Sequence, residues 1–318
     1  MSAGLAPRSL TWIASRPFPD VAPSNLIDGR AIAEQIHAET AGRIEALKAR
    51  GVQPGLVFVR VGEDPASKVY VGMKGRTSER LGIFSLTKVL PAETSEKELL
   101  DLIETLNADE RIHGILVQAP LPSHISAARV YTAVRPTKDV DGFHPVNVGK
   151  LMLADPSGFA PCTPAGIQQL LVRSQIRTEG MEAVILGRGD IVGKPMAAIL
   201  LQKAKDANAT VTLCHSRTRD LAAHCRRADI LIAAMGVPEF VKADMVKPGA
   251  VVIDVGVNRI EDASAKGGSR LVGDVDFVHV QPLAGRITPN PGGVGPMTIA
   301  MLMRNTVRAA EMAVGATP

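Results

Sequence analysis

The stretch VILGRGDIVGKP, residues 184–195, decides how this chain is read. An aliphatic run enters a turn carrying Gly187, Gly189 and Gly193, spaced G-x-G-x-x-x-G, one residue longer than the usual dinucleotide fingerprint. Upstream, EAVIL (182–186) supplies a strand; downstream, GKPMAAILLQKA has helical periodicity. Glycines at such a turn let the backbone approach a pyrophosphate, and amides at the helix N-terminus can donate to it. A plain strand-to-helix turn has the same composition, so the flanking chain has to discriminate.

The next predicted strand, TVTLCHSRT (210–218), bears on the cofactor. An NAD site places an Asp or Glu about 20 residues beyond the glycines, on the ribose 2′-hydroxyl. Here the region reads Cys214-His215-Ser216-Arg217-Thr218, with no acid until Asp220. A carboxylate would repel a 2′-phosphate, whereas Arg188, Ser216 and Arg217 are suited to hold one. NADP is therefore the expected cofactor, with a solvated loop as the alternative reading of these residues.

Further predicted strands at 229–234 and 250–255 complete a doubly wound, Rossmann-type series. A second alternating series precedes it. Ile32, Ile36, Ile44 and Leu47 mark a helix ended by Gly51; GLVFVRVG is a strand, followed by a helix over 65–81, a strand over 83–90, a helix over 95–107 and the buried strand GILVQ (114–118). The apolar final helix, MTIAMLMRNTVRAAEMA, is expected to pack back on this first unit. The fold class is thus α/β with two domains and a cleft between them. The expected division is an extension over 1–24, a catalytic domain over 25–147 plus 296–318, and a nucleotide domain over 148–295.

Composition narrows the function classes. The 318 residues carry a formal charge of +4, scattered rather than clustered, and only 3% aromatics, which supplies little surface for stacking nucleic-acid bases. The three cysteines form no C-x-x-C pair and suit a reducing compartment; the seven histidines show no H-E-x-x-H spacing, so no metal site is expected. Apolar runs fall well short of the roughly 20 residues of a spanning helix. A cytoplasmic protein without membrane or nucleic-acid partners is expected. The first residues, with Arg8, Arg16 and no acid before Asp20, read as a loosely docked or disordered extension, or alternatively as an organellar transit peptide.

Taken together, YVGMK (70–74), ILVQAPLP (115–122), KDVDGFHPVNVGKL (138–151), PCTPAGI (161–167), IVGKPMA (191–197), VIDVGVNR (252–259), GDVDF (273–277) and PGGVGPMT (291–298) resemble one family, in order and spacing. With TVTLCHSRT between them, the chain is similar to the bifunctional methylenetetrahydrofolate dehydrogenase/methenyltetrahydrofolate cyclohydrolases from about Asn25 to the final helix.

On their own, Tyr70 and Lys74 lie four apart on a predicted helix and share a face. Gln118 ends a buried strand, and Asp139 and Asp141 fit a turn. The resemblance implies more. Lys74 becomes the catalytic lysine, Tyr70 stacks on the folate, Gln118 holds the lysine, and Asp141 pairs with the pterin ring. Pro291, Gly292 and Gly293 would line the folate. NADP would lie along Gly187, Arg188, Gly189, Ile191, Val192, Gly193, Lys194 and Pro195. It would also meet His215, Ser216, Arg217, Gly236, Val257, Gly295 and Thr298. A homodimer and a folate substrate, with or without a polyglutamate tail, are implied in the same way. The family usually has Ser where Gly189 stands and an apolar residue in place of Asn290. The first departure removes a hydroxyl from the 2′-phosphate side.

The resemblance implies hydride loss from the methylene bridge, then hydrolysis of the methenyl cation to 10-formyltetrahydrofolate. A dehydrogenase without hydrolase activity should lack Lys74 or Gln118, and both are present. A silent NADP-binding protein would not need all four polar site residues. An amino- or hydroxy-acid dehydrogenase would not carry KDVDGFHP and PGGVGPMT.

Overall fold

The structure is a computed structural model that describes residues 25–262 and 268–316; the extension over 1–24 lies outside the described residues. The first sheet has three parallel strands in the order β2-β1-β3: β1 (Gly55–Val61), β2 (Phe84–Leu90) and β3 (Gly114–Val117). Helices α1 (Gly29–Lys48), α2 (Pro65–Leu81) and α3 (Glu96–Ala108) alternate with them. Asp28 caps α1 by accepting from Arg30 and Ala31 N–H, and Ser95 with Glu98 forms a capping box on α3.

After α4 (Ala127–Ala133), α5 (Pro145–Met152) and α6 (Cys162–Arg173) comes the second sheet. Its strands are β4 (Glu182–Leu186), β5 (Thr210–Cys214), β6 (Ile230–Ala233), β7 (Val251–Asp254) and β10 (Arg286–Ile287), with α7 (Gly193–Leu200) and α8 (Leu221–Arg227) between them. All five are parallel, ordered β10-β7-β6-β4-β5. The strand order reverses beside β4, so the turn after Leu186 opens at the switch point where doubly wound sheets bind ligands. An antiparallel hairpin, β8 (Asn258–Glu261) with β9 (Ser269–Val272), and the short α9 (Phe277–Val280) precede β10.

Strand residues alternate between cores, as a pleat covered on both faces requires. Leu56 and Phe58 of β1, with Ala183 and Ile185 of β4, face one shared core built on α1, α6 and α10 (Val294–Ala313). Val57, Val59 and Val61 face a second core, and Val184 and Leu186 a third. The final helix packs on α1 and α6 and also meets α2, β1 and β3, so it returns to the first unit. It starts at Val294, three residues before the expected 297. The chain beginning at Asn25 does something the periodicity did not suggest. Ile27 N–H donates to Ile287 O and Ile287 N–H to Asn25 O, so residues 25–27 edge the second sheet rather than the first.

That edge brings the start of α1 against the loop before α10. A Cβ on Gly29 would overlap the Gly293 carbonyl oxygen. Gly29→Ala is therefore expected to destabilise the protein by about 1–3 kcal/mol, the usual cost of overpacking. Urea denaturation measures this; an unchanged midpoint would mean that the loop yields freely.

Candidate active site

Lys74 is placed by the βα connection after β1, on the buried side of α2, and is 8% exposed. Its Nζ donates to Gln118 Oε1 at 3.1 Å. Gln118 stands just past β3, and its own amide nitrogen donates to Ala119 O at 2.7 Å. That second bond orients the amide, leaving the oxygen to face the lysine. Tyr70, one turn before Lys74, is 39% exposed, so a ring face is available to a ligand.

Two carboxylates of one loop have diverged. Asp139 accepts from Gly142, Phe143 and His144 N–H and from Asn147 Nδ2, and it organises the loop. Asp141 is left beside Lys74 and the Cys162 thiol. Burial raises the Asp141 pKa, Lys74 opposes that shift, and Asp139 adds to it. Burial, followed by the nearby Asp141 charge, pushes the Cys162 thiol well up, so it stays protonated as a donor rather than a nucleophile. Lys74, Gln118 and Asp141 thus form one group, with Tyr70 at its margin. The turn reading of the "DVDG" stretch holds for Asp139.

A second group lies at the carboxyl ends of β4 and β5. A Cβ on Gly187 would strike Ala234 O, and one on Gly193 would strike Gly187 O, so both glycines are required by the turn itself. Gly189 meets nothing within 4 Å, so this position has room for the serine usual in the family. Arg188, Ser216 and Arg217 are exposed, brought close because Leu186 pairs with Cys214. His215 shapes their loop: its N–H donates to Thr218 Oγ1, and its Nδ1 accepts Arg217 N–H. Asp220 caps α8 by accepting from Ala223 N–H, and so the first acid past β5 is already engaged. Lys194 pairs with Asp190 at 2.5 Å, Ile191 is exposed, and Val192 and Pro195 pack inward.

This second group suits a phosphorylated dinucleotide: the glycine turn holds the backbone clear of side chains, and among the described residues the exposed Arg188 and Arg217 make no ion pair with a carboxylate. Gly236 and Val257 belong to loops held by two buried acids the sequence reading missed. Asp274 accepts from Met235 and Gly236 N–H and from Asn258 Nδ2. Asp254 accepts from Gly256, Asp274 and Val275 N–H; burial raises its pKa to about 6 against the pull of those donors. Asp274→Ala would strand buried donors and is expected to cost about 2–4 kcal/mol, read from urea denaturation. No change in midpoint would show that water replaces the carboxylate.

The loop from Thr288 to Gly295 joins the two groups. Thr288 Oγ1 accepts from Asp254 N–H, and Asn290 Nδ2 donates to Gly256 O at 2.5 Å. The unusual asparagine therefore ties the loop to the β7–β8 connection. Pro291 is exposed after a cis bond, Gly292 has φ +113°, and a Cβ on Gly293 would meet Pro289 O and Thr288. Gly293 is thus needed for the loop's own packing, apart from any ligand. Gly295 is exposed in open space, and Thr298 shares a 2.9 Å hydrogen bond with Thr163 of α6.

Two family descriptions match: "Tetrahydrofolate dehydrogenase/cyclohydrolase, catalytic domain" over residues 27–141, and its "NAD(P)-binding domain" over 161–314. The chain belongs to the tetrahydrofolate dehydrogenase/cyclohydrolase family. It is 57% identical over 290 residues to "Bifunctional protein FolD" of Syntrophus aciditrophicus, covering 91% of this chain and 98% of that one. The bifunctional FolD of Campylobacter jejuni has a solved structure 47% identical, with a TM-score of 0.85, over 90% of this chain and 98% of that one. The Trypanosoma brucei methylenetetrahydrofolate dehydrogenase-cyclohydrolase, solved with NADP cofactor and inhibitor, is 39% identical, with a TM-score of 0.86, over 91% and 98%. For a tetrahydrofolate dehydrogenase/cyclohydrolase, one detail of packing stands out. The NAD(P)-binding match runs through α10, and that helix lies both on α6 of the same match and on α1 of the catalytic match.

Proposed function

We propose that this chain oxidises 5,10-methylenetetrahydrofolate to the methenyl cation with NADP and then hydrolyses the cation to 10-formyltetrahydrofolate at the same site. The observation that carries the reading is the buried Lys74 amine held on Gln118 beside Asp141. When bound, NADP would supply the hydride acceptor for the methylene carbon. The chain's residues position the partners. Asp141 accepts from the pterin N–H and exocyclic amine, Tyr70 stacks on the ring, and Pro291, Gly292 and Gly293 border the folate. Arg188, Ser216 and Arg217 hold the 2′-phosphate, and the Gly187–Gly193 turn takes the pyrophosphate.

Hydrolysis needs proton movement as well. Water adds to the methenyl carbon, and the Lys74 amine takes a proton from it; the ammonium then protonates N5 as the N5–carbon bond breaks. The formyl group stays on N10, and one proton is released overall. Gln118 accepts from Lys74 in either state of the amine, which keeps the group aimed through both transfers.

Spectrophotometric oxidation of methylenetetrahydrofolate with NADP and separately with NAD, followed by methenyl decay, tests this reading. It predicts faster turnover with NADP at equal concentration and decay above the spontaneous rate. Absence of both activities would overturn it. The resemblance further supports a homodimer, testable by sedimentation, and a folate substrate with or without a polyglutamate tail. We place the protein in the cytoplasm; import directed by residues 1–24 is the alternative that fractionation would reveal.

A further inference from the structure

A cleft of about 780 Å³ opens between α1, α6, α7 and α10, and none of its lining residues belongs to the Lys74 group. Three arginines line it: Arg43, Arg304 and Arg308. Arg43 is neutralised by Glu311, with contacts of 2.8 and 2.5 Å. Arg308 donates to the carbonyls of Gly158 and Pro156, and its guanidinium stands 5.1 Å from the Phe159 ring centre. Those acceptors are neutral, and the one acid that acts on its charge, Glu311, is already bound to Arg43. Asp155, also at the cleft, accepts from Ser157 N–H.

Arg304 differs from its neighbours. It is half-buried on α10 and, among the described residues, makes no ion pair or hydrogen bond to an acid. Arg173 nearby is already matched to Glu39 at 2.7 and 2.8 Å. Burial first, then the charges of Arg43 and Arg173, lower the Arg304 pKa against only a partial pull from Glu39. A cation removed from water among like charges weakens the fold unless an anion joins it. Its long side chain gives five donors in a planar fork, the geometry that takes phosphoryl oxygens in pairs. Leu151, Ile199 and Met301 give the same cleft an apolar wall.

We propose that this cleft binds a phosphorylated small molecule, with Arg304 as its principal ligand and Arg308 as a second positive charge beside it. The next residue, Asn305, donates to Val140 O, beside Asp141, and to Ala160 O, so the α10 turn that holds the anion also holds the loop that carries Asp141. The inference is independent of the folate chemistry, because its readouts are binding and stability.

The test is calorimetric titration of the NADP-saturated enzyme with inorganic pyrophosphate at low ionic strength; saturation keeps the probe out of the cofactor turn. The wild type should show saturable binding, and Arg304→Gln should weaken it about tenfold or more, while Arg304→Lys retains part of it. Without pyrophosphate, Arg304→Gln should melt at or above the wild-type temperature, because it removes an unmatched charge. Absence of saturable heat from the wild type, or equal affinity in Arg304→Gln, would overturn the site. A lower melting temperature for Arg304→Gln without ligand would make Arg304 a structural residue and overturn it as well.

Discussion

Lys74→Met is expected to lower cyclohydrolase activity by at least about a hundredfold while leaving part of the dehydrogenase activity, so that methenyltetrahydrofolate accumulates. Hydride transfer depends on holding the folate carbon within about 3–3.5 Å of its acceptor. On the proposed reading, Tyr70, Asp141 and the 291–293 loop supply that positioning, and Lys74→Met leaves them in place. Hydrolysis also needs protons moved from water and to N5, and a positioned acid–base group contributes about 10²–10⁴-fold. Methionine keeps much of the buried chain's length and removes the amine that Gln118 accepts from. Gln118 Oε1 then loses a donor, which costs about 1–3 kcal/mol of stability without touching chemistry. Stopped-flow decay of added methenyltetrahydrofolate, corrected for the spontaneous reaction, reads the effect. A wild-type enzymatic rate in the variant would pass the proton role to Tyr70 or to a bound water.

Arg188→Ala is expected to weaken NADP about ten- to a hundredfold and NAD much less. A charge-assisted contact to the 2′-phosphate is worth roughly 1.5–3 kcal/mol, and 1.4 kcal/mol is tenfold. The structure sharpens the expectation because Asp220 is engaged as the α8 cap and Asp190 is paired with Lys194. Both acids already have a partner in the fold. Gly189 has open space around it, so Gly189→Ser should fit and add a hydroxyl on the same side, strengthening NADP binding. Equal losses for both cofactors in Arg188→Ala would mean that the arginine serves the turn. Fluorescence titration of each cofactor distinguishes the two.

Why some of this was legible and some was not follows from the range of the interactions. The buried parallel strands stand out as short apolar runs, and β1, β4 and β6 lie close to where periodicity puts them. The β8–β9 hairpin does not stand out, since NRIE and SRLV are half exposed and pair only with each other. The spacing of Tyr70 and Lys74 shows a shared helical face, but the contact to Gln118 spans 44 residues and exists only because β3 lies beside β1. Asp254 closes a predicted strand, and Asp274 carries no local mark of its role. Asp254 accepts N–H groups from Asp274 and Val275, and Asp274 accepts those of Met235 and Gly236, all partners distant in sequence. Asp139 and Asp141 are two apart, and only the four donors around Asp139 show which carboxylate is spent on the loop. Asn25 pairing with the second sheet follows from the return of the chain at Ile287, which no local pattern reports.

The most direct test of a single site performing both steps is a time course of the wild-type enzyme given methylenetetrahydrofolate and NADP. NADPH, methenyltetrahydrofolate and 10-formyltetrahydrofolate are quantified together. The account predicts that 10-formyltetrahydrofolate rises with NADPH and that methenyltetrahydrofolate stays below the level set by spontaneous hydrolysis alone. Methenyltetrahydrofolate accumulating mole for mole with NADPH, and then decaying at the spontaneous rate, would contradict it.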